Sequence, residues 1–261
     1  MLGKLFKHEF IYTAKRFIPL YIIGFAAAGV MRILSEVTEI DSMELTDNLA
    51  VMFIYSSLLI AIGMATVVLT IYAMFSSIPR FHKNMFSDEG YLTNTLPVSS
   101  YSHVLCKFLT GLVWYIITVL VVALIQFISF GEWEGALIST PSILTAQLTE
   151  SSPAETILSF YSSVASYSAF ILMCYMCDSI RAMSGGKTSA AVFMAIGFVI
   201  LNGIVLSFIY GAISTLSETK YESSVQLLNV RSIVSSIYYT IVAFAMFFIT
   251  GRNLKERLNL Q

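Results

Sequence analysis

Charge is what this sequence has least of. Of its 261 residues, 12% are Asp, Glu, Lys or Arg, whereas 57% are hydrophobic, and the mean hydropathy is +0.78. An ordinary soluble domain carries about 25% charged residues, so a chain of this composition cannot clothe a compact fold in polar surface. The few charges nearly cancel, 15 Lys and Arg against 16 Asp and Glu, for a net charge of -1. That balance argues against nucleic acid as a partner, which would need a strongly basic face. Cysteine is scarce too: Cys106, Cys174 and Cys177 all lie in or beside apolar runs, which excludes a small disulfide-stapled fold. The three histidines, His8, His82 and His103, are too scattered to predict a metal site. Ionisable groups are nearly absent from the apolar runs, which argues against proton- or ion-coupled transport. No paired catalytic groups converge there, which argues against an intramembrane enzyme. The first apolar run lacks a small-residue cleavage site, so a cleaved signal peptide is not expected.

What the sequence has in quantity is long uncharged runs. They cover Leu49 to Ile78, Phe108 to Gly131, Thr156 to Cys177, Thr188 to Ser217 and Ser232 to Gly251. About 20 helical residues cross the hydrocarbon of a bilayer, so each run predicts a membrane span. A sixth, shorter run begins at Phe17, and Arg32 can snorkel outward while Ile33 and Leu34 complete the crossing. The expected fold is an all-α integral membrane protein of a single domain. Its six spans are 17–34, 49–78, 104–131, 156–178, 188–212 and 232–251. A cytoplasmic loop occupies 79–103, an outer loop 132–155 and a tail 252–261.

Lysine and arginine give the expected orientation. Twelve fall in one set of loops, from Lys4 and Lys7 through Arg80, Lys83 and Arg181 to Arg257; three, Arg32, Lys220 and Arg231, fall in the other. The positive-inside rule then places both termini in the cytoplasm. Small residues at i, i+4 spacing, Gly24/Ala28, Ala61/Ala65 and Gly203/Ser207/Gly211, suit close helix packing. Gln126 and Asn202 are the strongly polar groups inside the spans, and interhelical hydrogen bonding is their expected role. Asp178 and Arg181, three residues apart, predict a local ion pair.

Two polar segments stand out. In the first, Leu2, Leu5, Phe6, Phe10 and Phe17 share one helical face, with Lys4, Lys7, His8 and Lys15 opposite; this predicts an amphipathic helix at the membrane surface. Glu9 falls on the apolar side, where a carboxylate needs a partner such as Arg16 or a group on another helix. The second is the loop Arg80 to Ser100. Phe81, Met85, Phe86, Tyr91 and Leu96 are too apolar for a solvated linker, Ser87-Asp88-Glu89-Gly90 supplies turn chemistry, and Ser99 and Ser100 offer an N-cap for the next helix. Something is expected to cover those apolar residues.

Lys7-His8-Glu9-Phe10, leading into a basic stretch, together with Asp88-Glu89-Gly90-Tyr91-Leu92-Thr93-Asn94-Thr95-Leu96-Pro97-Val98-Ser99, resembles the permease subunits of ABC-2 type transporters from Gram-positive bacteria. The six-span plan is similar over essentially the whole chain. The resemblance implies that residues 1–16, with Leu2, Leu5, Phe6, Glu9, Phe10 and Arg16, form an interfacial elbow helix. It implies that 80–96 holds the coupling helix docking a separate ATPase, through Arg80, Phe81, His82, Lys83, Met85, Phe86, Asp88, Glu89, Gly90 and Tyr91. Two ATPase subunits would bind ATP and magnesium, this chain holding no cofactor and doing no catalysis. A second permease chain, identical or related, would complete an exporter in the bacterial cytoplasmic membrane. A scaffold or sensor that binds a partner without transport is the alternative.

Two shorter motifs carry less. Gly185-Gly186-Lys187-Thr188 has the end of a phosphate-binding loop, but Arg181 stands where that loop needs its first glycine and no soluble strand precedes it. Cys174-Tyr175-Met176-Cys177 has redox spacing without a soluble β-α-β context, so packing is the expected role.

Overall fold

The computed structural model describes residues 2–37, 49–86, 99–130, 153–185, 188–217 and 224–258, and among them there is helix and no strand. In chain order the helices are α1 (Leu2–Val37), α2 (Leu49–Phe75), α3 (Ser77–Phe86), α4 (Ser100–Phe130), α5 (Pro153–Met183), α6 (Thr188–Ser217) and α7 (Ser224–Leu258). Six stretches are long and apolar enough to cross a membrane: Gly3–Leu34, Phe53–Phe86, Ser100–Ser129, Phe160–Met183, Ala191–Thr215 and Val230–Glu256. This is the plan of a multi-pass membrane protein, in which each helix satisfies its own backbone groups away from water.

Helix ends depart from the expected span limits for local reasons. Residues 2–16, expected as an interfacial helix, and 17–34, expected as a span, belong to one uninterrupted helix, α1. No glycine or proline stands at the expected boundary, and Pro19 within the helix removes a single backbone donor. Within the span expected at 49–78, helix α2 ends at Phe75 and α3 begins at Ser77 after a turn at Ser76. Pro79 explains the break, because it has no N–H to give the Phe75 carbonyl one helical turn back. Ser99 starts α4: its Oγ accepts from the Ser102 amide at 3.3 Å and its carbonyl accepts from the same amide at 2.9 Å. Gly185 follows the end of α5 with φ of 68°, a left-handed conformation suited to a helix stop.

The chain divides into two compact units, Lys7–Met74 with Val113–Ser152, and Met1–Phe6 with Phe75–Leu112 and Pro153–Gln261. The first unit is centred on Trp114, 5% exposed, which stacks on Phe10 (centroids 4.9 Å, planes 25° apart) and on Phe17 (5.1 Å, 10°). Thr118 donates to the Trp114 carbonyl at 2.7 Å, so the Tyr21 hydroxyl, 2.6 Å from the Thr118 oxygen, is the donor in that pair. Gly24 lets α1 approach α4, for a Cβ there would lie 2.6 Å from Ile125 Cδ1.

In the second unit α5 and α7 pack along their lengths, α6 packs on both, and α3 packs on α5. Met173, Met176 and Cys177 of α5 are buried against Met194 and Phe198 of α6 and Met246 of α7. At the start of α3, a Cβ on Gly111 of α4 would come within 3.1 Å of the Ser77 Cβ and 3.2 Å of the Tyr167 hydroxyl. There is no slack for a side chain here. Gly111→Leu is expected to lower stability in detergent by about 1–3 kcal/mol through overpacking, read as a loss of monodisperse protein on heating, with Gly63→Leu, where a Cβ meets nothing within 4 Å, as the neutral control.

Candidate functional site

The segment singled out by the sequence is a short helix held by its own chain. α3 has an i, i+4 apolar pair, Phe81 and Met85, 0% and 4% exposed, on a helix that also carries Arg80, His82 and Lys83. Phe81 lies flat on Tyr175 of α5, with centroids 4.0 Å apart and planes at 14°, and meets Phe86 edge-on at 5.7 Å. Just before α3, Phe75 meets Phe170 of α5 edge-on at 5.5 Å. Phe81 is therefore covered by α5, and Met85, one turn on along the same face, is buried as well. Arg80, His82 and Phe86 are half-buried and Lys83 is exposed. Asp88, Glu89, Gly90 and Tyr91 lie outside the described residues.

One turn beyond the aromatic stack the same two helices share a polar cluster. Arg181 Nη2 stands 2.7 Å from Nδ1 and 2.6 Å from Nε2 of His82. Asp178 Oδ1 lies 3.8 Å from both Arg181 Nη2 and His82 Nδ1. Guanidinium can only donate, so an imidazole nitrogen accepts from it. A ring with its proton on Nδ1 satisfies both neighbours: Nε2 accepts from Arg181 and Nδ1–H faces Asp178. The i, i+3 pair expected from sequence is thus present, with His82 as a third member that sequence did not predict. Asp178 Oδ2 is buried without a hydrogen-bond partner among the described residues. Next to this, Asn253 of α7 donates to Ser179 Oγ at 3.1 Å, and Ser179 donates to the Met176 carbonyl at 2.7 Å. α3 is thus joined to α5 by a ring stack and by the hydrogen bond from Arg181 to His82, and α5 is tied in turn to α7.

The other sequence candidates make contacts of their own. In α1, Glu9 is 5% exposed, Leu5, Phe6 and Phe10 are half-buried, and Arg16 is exposed. Leu2 belongs to the same helix. Arg16 donates to the Tyr12 hydroxyl at 2.8 Å and its guanidinium lies 5.0 Å from that ring's centroid, so its described contacts go to Tyr12. Asn202 joins two helices: it accepts from the Tyr238 hydroxyl at 2.6 Å and donates to the Phe198 carbonyl at 3.2 Å. Gln126 is 1% exposed, and its Nε2 meets no hydrogen-bond partner among the described residues. Cys106, Cys174 and Cys177 are free thiols, and the last two pack among the methionines of α5.

Some features were not singled out in the sequence. His103 and Lys107, one turn apart on α4, are 3% and 4% exposed. Neither ring nitrogen of His103 has a hydrogen-bond partner among the described residues. Among the described residues no group of three or more His, Cys, Asp or Glu could hold a metal ion. No family profile, curated protein or solved structure matches the chain.

Proposed function

We propose that this chain is the membrane-spanning permease subunit of an ABC-2 type transporter, an exporter driven by two separate ATPase subunits that dock on residues 80–96. The observation that carries this reading is the construction of α3. It is a short helix, set off from α2 by the turn at Ser76 and seated on α5 by Phe81, with Met85 buried as well, and it leaves Lys83 exposed. A partner pressing on such an element would move α5 with it, because packed helices shift as discrete bodies rather than yielding continuously. The twelve-to-three distribution of Lys and Arg supports placing α3 and both termini on the cytoplasmic side, where ATP is available. ATP and magnesium would be bound by the ATPase partners. A second permease chain, identical or related, would form the other half of the path, in the cytoplasmic membrane of a bacterium.

The test is affinity purification of the tagged chain from its host membrane, with identification of the proteins that accompany it and an ATPase assay. The expected result is a co-purifying protein with nucleotide-binding motifs, lost when 80–96 is scrambled in a chain that still inserts. Replacing Glu89 and Tyr91 with alanine is expected to uncouple ATPase stimulation from export. Recovery of the chain with a partner lacking ATPase activity would favour a scaffold or sensor, and unaltered stimulation and export in the double variant would remove 80–96 as the docking site.

A further inference from the structure

Away from the α3 cluster, α4, α5 and α7 enclose a half-open groove of about 330 Å³. Its origin is visible in the residues. Ala165 and Ser168 of α5 face Ala243 of α7, and these small side chains leave a gap between two helices that otherwise pack closely. Phe108 of α4 and Phe244 of α7 form walls, and Leu172 closes one end. At the other end the contact between α5 and α7 turns polar: Tyr161 and Thr240 hydroxyls are 3.0 Å apart, and Ser162 and Ser235 hydroxyls 3.4 Å apart.

Three properties specify an occupant. The groove is long and narrow, since Tyr161 and Leu172 are about 16 Å apart along α5 at 1.5 Å per residue. It is apolar along that length apart from the Ser168 hydroxyl, which donates to the Val164 carbonyl at 2.7 Å, and its other hydroxyls, of Tyr161 and Thr240, meet at one end, the polarity of an amphiphile. Every lining residue lies within the stretches able to cross a membrane, and the solvent at that depth is hydrocarbon. An apolar gap of this size is costly when empty and offers water few partners. Tyr161 and Phe244 of its lining are 48% and 61% exposed, so the groove is open to whatever surrounds the helices.

We propose that this groove seats one acyl chain of a membrane phospholipid, with the ester end at the Tyr161–Thr240 pair and the methyl end toward Leu172. Ala165 and Leu172 are 6% and 3% exposed; lipid that only solvates the outside of the helices does not reach them, whereas a seated chain does.

The experiment uses the full chain reconstituted in phosphatidylcholine bilayers containing a phospholipid with a diazirine near the methyl end of one acyl chain. After illumination, lipid adducts are mapped by mass spectrometry. The expected result is adducts on Ser168 or Leu172, besides those on outward residues such as Phe208 of α6, which is 76% exposed. Filling the groove with Ala165→Phe, or separately with Ala243→Phe, is expected to abolish the inner adducts and leave those at Phe208. Wild-type adducts confined to outward residues overturn the proposal, with no variant needed to fold. So do inner adducts that survive both fillings. Replacing Phe244 with p-benzoylphenylalanine tests the competing occupant: capture of a second copy of the protein overturns the proposal.

Discussion

Phe81→Ala is expected to release α3 from α5 while the rest of the chain stays folded. Phe81 is fully buried and stacked on Tyr175, and removing a buried phenyl ring leaves a void that typically costs about 3–5 kcal/mol. The ten residues of α3 have little to set against that loss. Isolated helices shorter than about 12–15 residues are marginal in water, and the Arg181–His82 contact is half-exposed, so ionic attraction there is screened. At 1.4 kcal/mol per factor of ten, the open population should rise by about two to three orders of magnitude. Amide hydrogen exchange across 77–86 should accelerate accordingly, with trypsin cutting after Arg80 or Lys83, while exchange in α5 and α7 is unchanged. Phe81→Leu keeps most of the apolar volume and is expected to give a much smaller effect. If Phe81→Ala exchanges and cleaves like wild type, the ring stack is not what holds α3. Under the transporter reading the same variant should insert normally and yet lose coupling.

The parts of this fold that could be read from sequence are those set by the bilayer. Uncharged runs such as Ser232 to Gly251 must be helical in hydrocarbon, because nothing else there satisfies the backbone, and each of the five long runs overlaps a helical stretch able to cross. Where helices end was less legible, since a helix stops at a breaker or a cap rather than at the membrane surface. α5 continues past residue 178 to Met183, ahead of the left-handed Gly185, and α7 extends on both sides of 232–251. Pro79 was visible, yet its effect falls four residues earlier, at the carbonyl of Phe75, and so the break at Ser76 was not anticipated. The apolar excess of Phe81 and Met85 on a basic helix told that they need cover. It could not tell that Tyr175, 94 positions later, supplies it. The same distance hid His82 from the Asp178–Arg181 pair. The i, i+3 spacing is local information, and the third member comes from another helix.

Trp114→Ala is the second change with a large expected effect, this time in the unit built from Lys7–Met74 and Val113–Ser152. Hydrophobic transfer alone does not hold membrane helices together, since lipid tails solvate apolar side chains about as well as a protein interior does. What favours association is dense contact, and Trp114 supplies it by lying against Phe10 and Phe17 with Tyr21 6.4 Å away. Truncation leaves a void among rings on α1 that cannot all collapse onto α4, and a cost of about 3–5 kcal/mol is expected. The two ring pairs, each worth about 0.5–1.5 kcal/mol beyond area, are lost together. Thermal unfolding in detergent, followed by size exclusion, should show the variant failing well below wild type, and Trp114→Phe should recover most of the difference. Coupling should also be visible in a double-mutant cycle: Phe17→Ala is expected to cost less in the Trp114→Ala background than alone, because one of its ring partners is already gone while Tyr21 and Tyr72 remain. The chain has two tryptophans, so in a Trp133→Phe background emission reports Trp114 only. Phe17→Ala there should shift that emission to the red as the stack opens; unchanged emission together with additive stabilities would mean the ring stack contributes nothing to joining α1 and α4.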